Sequence, residues 1–167
     1  VSFPVTVGAG QSQIYTFSVQ VNTGSYYPSV SLFEDNVTNT TIPSNAWTTN
    51  TTSTVDWTVS NNRAYSPTSS YFSGNVDVIS EQKLTTTNSF ALGATPPPLT
   101  FRHWFNTEST YDGGVLEIST NGGTSWTDVR PNIVAGAYTA LMDTSTVLTG
   151  RRAWTGSSGG SFIKTKV

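Results

Sequence analysis

The chain has 167 residues, a formal net charge of −2 and no cysteine, and only 11% of its residues are charged. This length is sufficient for one domain with a substantial hydrophobic core. Eight basic residues are too few for a patch that binds nucleic acid, and the absence of cysteine excludes disulfides, thiolate metal sites and a cysteine nucleophile.

Uncharged polar residues dominate the composition. Thr, Ser and Asn are abundant, and no apolar run approaches the length of a membrane span. A surface solvated by hydroxyls and amides is typical of secreted or cell-surface β proteins. We therefore expect an extracellular or cell-surface protein without membrane insertion. Cysteine-free secreted proteins are commoner in microbes than in animals, which favours a microbial source.

Alternation of apolar and polar residues begins at the N-terminus and predicts an all-β fold. Apolar residues recur at every second position in residues 1–7 and 15–21, and the Gly-rich residues 8–10 predict a hairpin turn. We assign residues 1–35 to an N-terminal β-strand segment. Its strong strand at 13–21 is a candidate for strand addition to a neighbouring molecule.

A polar tract follows at residues 36–54 and predicts a loop, in which residues 36–46 form a linker. It contains three N-x-Ser/Thr sequons, at Asn36, Asn39 and Asn50. These sequons are either glycosylation sites or chance occurrences in an Asn- and Thr-rich loop.

The remainder of the chain, residues 47–167, has strand patterns separated by turn residues at the spacing of an antiparallel jelly-roll sandwich. Three prolines at residues 96–98 must form a connection because proline cannot donate to a strand ladder. In the stretch 99–105, one face carries Phe101, His103 and Phe105, which indicates a central strand. Strands are predicted at residues 55–59, 71–79, 84–92, 99–105, 115–120, 126–129, 137–142, 152–155 and 162–167.

The stretch NTESTYDGGVLEISTNGGTSW, residues 106–126, predicts two reversals that flank one strand. Asp112 precedes Gly113 in the first, and Asn121 precedes Gly122 in the second. The second turn also resembles the S-x-D-x-G-x-T-W Asp-box of β-propellers. That motif occurs once here, whereas a propeller would repeat it at blade spacing.

The acidic residues of this region allow two kinds of chemistry. A pair of catalytic carboxylates would be expected to alternate along a strand, but Ser119 stands where the second acid would follow Glu117. Carboxylates and loop carbonyls are also hard ligands for calcium. A structural calcium is therefore an alternative to a solvated loop, and its candidate ligands are Glu108, Asp112, Asp77 and Glu81.

The segment LTFRHWFNTESTYDGGVLEISTNGGTSWTDV, residues 99–129, carries a family resemblance. The resemblance also includes Trp47, Trp57, the run 71–84, Tyr138 and GRRAWTGSSGG at residues 150–160. The chain resembles a jelly-roll module of the MAM and concanavalin-like superfamily. Such modules lie C-terminal in secreted bacterial peptidases of the immune inhibitor A type and in large surface proteins. The resemblance covers residues 47–167.

The resemblance implies a noncatalytic accessory domain, often with a structural calcium. Glu108 and Asp112 take the positions of the acidic loop, and Trp126 takes a core position. Asn121 departs from the usual aspartate and removes one carboxylate. The chain stops at what corresponds to the penultimate strand pair, which predicts an unpaired sheet edge unless residues beyond it are missing. The N-terminal strands are candidates to fill this edge, within the chain or in a neighbour. The alternative is that they form an ordinary extra strand or the tail of a preceding domain.

The remaining candidates are aromatic. His103 lies in an aromatic strand and is expected to be structural, because no G-x-S-x-G elbow accompanies it. Trp154 and Tyr138 are candidates for stacking on sugar rings, with a place in the core as the alternative.

Taken together, these features predict a noncatalytic extracellular binding, adhesion or accessory module of a larger secreted microbial protein, with a glycan or surface protein as partner. The alternative is a structural subunit of an extracellular filament or coat that assembles by β-strand exchange. We do not expect an enzyme.

Overall fold

The computed structural model describes residues 31–167, and these contain short β-strands, one 3₁₀ turn at Arg130–Asn132 and no α-helix. The prediction of a nearly all-β chain is confirmed for this part. The strands and the hairpin predicted within residues 1–30 lie outside the described residues, and residues 31–35 belong to no strand. The described strands are β1 Trp47–Thr51, β2 Thr58–Ser60, β3 Ser70–Phe72, β4 Gln82–Thr86, β5 Thr100–His103, β6 Glu117–Ile118, β7 Thr127–Asp128, β8 Ala140–Leu141, β9 Arg152–Ala153 and β10 Ile163–Lys166.

All described ladders are antiparallel and have two strands: β1 with β4, β2 with β3, β5 with β10, β6 with β7, and β8 with β9. Isolated bridges extend them. Gly114 pairs with Trp154 on the side of β9 away from β8, and Ala135 pairs with Lys166 on β10. The closure of β5 on β10 joins residues distant in sequence, and reciprocal backbone hydrogen bonds between Leu99 and Val167 continue that ladder.

Strand β1 corrects the sequence prediction, because it lies inside the tract that we assigned to a loop. Its middle residues are exposed, so the tract has no apolar alternation to reveal a strand. Thr is nevertheless a good strand former because of its branched Cβ. Trp47 opens the strand opposite Thr86 of β4. The predicted strands 71–79 and 84–92 are also shorter than expected and end at Phe72 and Thr86.

The core is built on the aromatic face of β5. Phe101 and His103 pack on the ring of Trp154, at centroid distances of 5.7 Å and 4.5 Å. Tyr138 meets the same ring edge-on at 4.5 Å. Each such aromatic pair contributes about 0.5–1.5 kcal/mol beyond its area burial. Trp154 is thus the centre of the core, and the alternation predicted along β5 is confirmed.

The opposite face of β5 carries two cation–π contacts. The guanidinium of Arg102 lies 4.3 Å from the ring centroid of Tyr65, and that of Arg63 lies 4.1 Å from the centroid of Trp104. The Tyr65 ring also meets Phe162 at 5.9 Å. Cation–π contacts stabilise by about 0.5–1 kcal/mol at exposed sites. They hold the loop between β2 and β3 against β5.

Trp126 corrects the expectation taken from the family resemblance. It is 46% exposed rather than in the core. It follows the β6–β7 turn, whose polar atoms bond to one another instead of to the core. Ser119 Oγ accepts from Gly123 N at 2.8 Å, and Asn121 Oδ1 accepts from Ser125 N at 2.9 Å. The turn therefore holds its shape without a buried indole.

Candidate functional site

The acidic loop after β5 is organised by backbone atoms. The carbonyl of Glu108 accepts from Asp112 N at 3.0 Å and from Thr155 Oγ1 at 3.3 Å, and Thr155 Oγ1 accepts from Thr110 N at 2.8 Å. The Asp112 carbonyl accepts from Thr107 Oγ1 at 3.0 Å. These bonds place Glu108 and Asp112 on one tight turn, as predicted.

The other two proposed calcium ligands lie between β3 and β4. Glu81 pairs with Lys83 at 3.0 Å, and both side chains are exposed. Within residues 31–167, His, Asp and Glu side chains do not gather in groups of three or more that would suit a metal ion. A site around Glu108 and Asp112 would therefore take its remaining ligands from carbonyls, hydroxyls or water, and calcium stays a prediction.

The two predicted sugar-stacking residues lie in the core. Tyr138 is 6% exposed and Trp154 is 5% exposed. Trp154 Nε1 donates to the carbonyl of Gly136 at 2.9 Å. Stacking on a sugar requires one open ring face, whereas these rings pack against each other and against the face of β5. Tyr138 and Trp154 are therefore core residues, which is the alternative that the sequence left open.

An unpredicted charged cluster, which we call the Arg151 cluster, joins Glu117, Asp128, Tyr138 and Arg151. Glu117 and Asp128 are directly opposite on the β6–β7 ladder. Arg151 bridges them, with Nη1 2.9 Å from Glu117 Oε1 and Nη2 2.8 Å from Asp128 Oδ2. Tyr138 donates to Asp128 Oδ1 at 3.0 Å. The sequence places the two acids on neighbouring predicted strands, but it does not indicate that the distant Arg151 contacts them.

Hydrogen bonding decides the ionisation of this cluster. Partial burial acts to raise the pKa of Asp128, but hydrogen bonds from Arg151, the Arg130 amide and Tyr138 outweigh it and lower that pKa. Burial raises the pKa of Tyr138, and its bond to Asp128 raises it further. Asp128 is therefore a carboxylate and Tyr138 a neutral donor. A general acid would require the opposite, a carboxyl with a raised pKa.

A second polar cluster surrounds Asp35. Its carboxylate accepts from Trp47 Nε1 at 2.7 Å, from the Tyr71 hydroxyl at 2.5 Å and from the Val37 amide at 2.8 Å. Burial opposes ionisation, but these three donors lower the pKa of Asp35 overall. The cluster ties the segment before β1 to β1 and β3.

His103 is held inside the aromatic core. Its Nε2 lies 3.0 Å from Thr165 Oγ1, and that hydroxyl donates to the Gly136 carbonyl at 3.0 Å. Because the hydroxyl has one proton, Nε2 of the neutral ring must be the donor to Thr165. Burial lowers the pKa of His103 to about 4. The imidazole is neutral and structural, as predicted.

An open cleft lies over β1 and β2, and we call it the Trp57 cleft. Its volume is about 580 Å³, and none of its lining residues is charged. Trp47 and Trp57 are among its lining residues. Trp57 Nε1 is buried and has no acceptor among the described residues. Six lining side chains carry hydroxyls: Thr40, Thr41, Ser44, Thr48, Thr49 and Thr58.

A smaller cleft, of about 370 Å³, lies beside the Asp35 cluster and is lined in part by the sequon residues Asn36 and Asn39. Residues 31–167 include no helix long and apolar enough to traverse a bilayer. Comparisons with protein-family models, with curated proteins and with solved structures find no match to this chain.

Proposed function

We propose that the protein is a noncatalytic binding or adhesion module of a larger secreted microbial protein. The observation that carries this proposal is that the ionisable groups of the fold are engaged in contacts within the chain. Among residues 31–167, the groups with shifted pKa values all bond to other groups of the chain: His103, Asp35 and the Arg151 cluster bond to distant segments, and Asp143 bonds to the nearby Ser145. Catalysis requires such groups to reach a substrate instead.

The Arg151 cluster argues against a carboxylate mechanism. Glycoside hydrolysis needs one protonated and one ionised carboxyl group that flank the scissile bond. Here one guanidinium contacts both Glu117 and Asp128, and Tyr138 adds a donor to Asp128. These contacts favour the ionised form of Asp128. The cluster thereby links β6 and β7 to the segments before β8 and β9, which is a structural role.

The proposed architecture is an antiparallel jelly roll similar to the MAM and concanavalin-like modules. Two features support this order of strands. β5 pairs with the last strand, β10, and Trp154, which follows β9, bridges to Gly114. Both pairings join segments distant in sequence, as Greek-key connections do. The proposal includes a structural calcium at the turn of Glu108 and Asp112.

The direct test is a depletion assay with the purified chain. Insoluble polysaccharides and immobilised extracellular-matrix or microbial surface proteins are incubated with increasing protein concentrations, and the unbound protein is measured. We expect saturable, reversible binding to at least one of these surfaces. The heat-unfolded chain is the control for nonspecific adsorption. Equal retention of folded and unfolded chain on every surface would contradict the proposal.

A second candidate function is assembly into a filament or coat by strand exchange. The observation that favours it is that the described ladders have two strands each: within residues 31–167, β1 and β4 pair only with each other. Their outer edges can accept another strand. Residues 13–21, which lie outside the described part, have the alternating pattern of a donor.

Light scattering over a concentration series tests this candidate. Assembly by strand donation predicts a mass that rises with concentration and that falls to the monomer mass in the double variant Phe17→Pro/Val19→Pro, because proline cannot donate to a ladder. A monomer at all concentrations would refute assembly.

A further inference from the structure

We propose that the Trp57 cleft binds a neutral sugar residue of a glycan. This inference deepens the proposed binding function and rests on it. The aromatic residues proposed to contact the sugar are Trp47 and Trp57, instead of Tyr138 and Trp154, which are buried in the core. Three properties of the cleft carry the argument: its lining, its rigidity and its unused hydrogen-bonding groups.

The lining matches the chemistry of a sugar. A pyranose presents C–H groups on its faces and hydroxyls around its edge, so that it suits an aromatic wall surrounded by neutral polar groups. The cleft combines two indoles with six hydroxyl side chains, and its volume of about 580 Å³ is in the range of small-molecule sites. A lining without charge offers no arginine or lysine to pair with a phosphate, sulfate or carboxylate group.

The Trp47 wall is rigid before any ligand arrives. Its Nε1 donates to Asp35 at 2.7 Å, and its ring meets Tyr71 and Phe33 edge-on at centroid distances of 5.7 Å and 5.4 Å. Thr49, on the same strand, donates to Asp56 at 2.6 Å. Binding to a wall that is already ordered avoids the entropy cost of immobilising side chains.

Several polar groups around the cleft are available to a ligand. The side-chain hydroxyls of Thr40, Thr41 and Ser44 bond to no other described residue, in contrast to that of Thr49. All three side chains are exposed, so their hydroxyls can bond to the hydroxyls of a ligand in the cleft.

The test is titration of the complete chain with neutral hexasaccharides, followed by calorimetry. The probes are the β-1,4-linked hexamers of glucose, xylose and N-acetylglucosamine and the α-1,4-linked hexamer of glucose, with a heparin hexasaccharide as the charged comparison. The chain is produced in a host without N-glycosylation because the sequons at Asn36 and Asn39 lie beside the cleft. We expect at least one neutral hexamer to bind and the heparin hexamer not to bind.

The variants locate the site. Trp57→Ala should raise Kd about tenfold or more, and Thr40→Val, which leaves both sequons intact, should raise it severalfold. The matched controls are Trp126→Ala and Thr127→Val, which remove an exposed indole and an exposed hydroxyl on the β6–β7 hairpin. They should leave Kd within about twofold. If circular dichroism shows that Trp57→Ala is unfolded, Trp57→Phe and Thr40→Val decide the question.

Each outcome separates this inference from the proposed function. Failure of the wild-type chain to bind any neutral hexamer would overturn the inference, while retention on a surface protein would leave the binding function standing. Glycan binding that survives substitution of Trp57 and Thr40 but is lost in Trp126→Ala would overturn the location alone. Absence of both glycan binding and surface retention would contradict both this inference and the proposed binding function.

Discussion

Replacement of Gly136 by alanine tests the packing of β10 against the segment before β8. A Cβ atom at Gly136 would lie 2.6 Å from the Lys164 carbonyl oxygen and 2.6 Å from Thr165 Oγ1. Both neighbours belong to β10 and have little room to move, because Thr165 is completely buried. The backbone at Gly136 also has a φ of +67°, which disfavours any residue with a Cβ.

The expected cost is the sum of three effects. A left-handed conformation at alanine costs about 1 kcal/mol, and a forced shift in a packed region costs about 1–3 kcal/mol. The Gly136 carbonyl also accepts from Trp154 Nε1 and Thr165 Oγ1, and weakening these buried bonds costs roughly another 1 kcal/mol. We therefore expect Gly136→Ala to reduce the free energy of unfolding by about 3–5 kcal/mol.

Gly150→Ala is the matched control. Its φ of +73° imposes the same backbone strain, but a Cβ there meets no atom within 4 Å. We expect this variant to cost only about 1 kcal/mol. Urea unfolding followed by tryptophan fluorescence measures both changes. Equal losses of stability in the two variants would refute the packing described for Gly136.

Three further predictions concern ionisation, a buried hydroxyl and metal. The fold lowers the pKa of His103 from 6.5 to about 4. The contribution of the neutral ring to the free energy of unfolding is therefore complete above pH 6.5 and is lost as the pH falls towards 4. With allowance for the partial exposure of the ring, this loss of free energy is roughly 2 kcal/mol. This slope in the free energy of unfolding should disappear in His103→Phe if that variant folds, and an unchanged slope would contradict the assignment. Tyr138→Phe should cost about 1–3 kcal/mol because the Leu116 amide loses its acceptor, 2.8 Å away, whereas the exposed Tyr111→Phe should change stability by less than about 0.5 kcal/mol. Chelation of calcium-loaded protein should lower Tm in the wild type and not in Glu108→Gln/Asp112→Asn; an unchanged wild-type Tm would exclude the calcium site.

The parts of the fold that depend on short-range patterns could be predicted. Strand alternation placed Phe101 and His103 on one face of β5, and their packing on Trp154 confirms it. The two reversals around β6 followed from their glycines and from the residues that precede them. Both kinds of inference need only neighbouring residues, because the side-chain period of a strand and the φ of a turn residue are local properties.

The parts that depend on distant residues could not be predicted. Arg151 meets Glu117 only because β6 and β7 approach the segment before β9, and no local pattern encodes that approach. Strand β1 was missed because its exposed threonines do not alternate with apolar residues. The position of Trp126 was wrong because a family resemblance does not state which face of a hairpin is covered.

The Trp57 cleft was missed for the same reason. It forms where the loop before β1 crosses β1 and β2, so its threonines come from three separate segments. In the sequence those threonines are indistinguishable from the other hydroxyls of a polar tract. Only the fold shows which of them surround the two indoles.

A noncatalytic binding module retains its ligand without converting it to a product. The most direct measurement is an incubation of the pure chain with a surface that retains it, in which the bound fraction and the soluble sugar or peptide products are followed together over hours. We predict saturable binding and no product above the protein-free blank. Product that accumulates in proportion to the protein concentration and is lost in Glu117→Gln or His103→Phe would contradict the account.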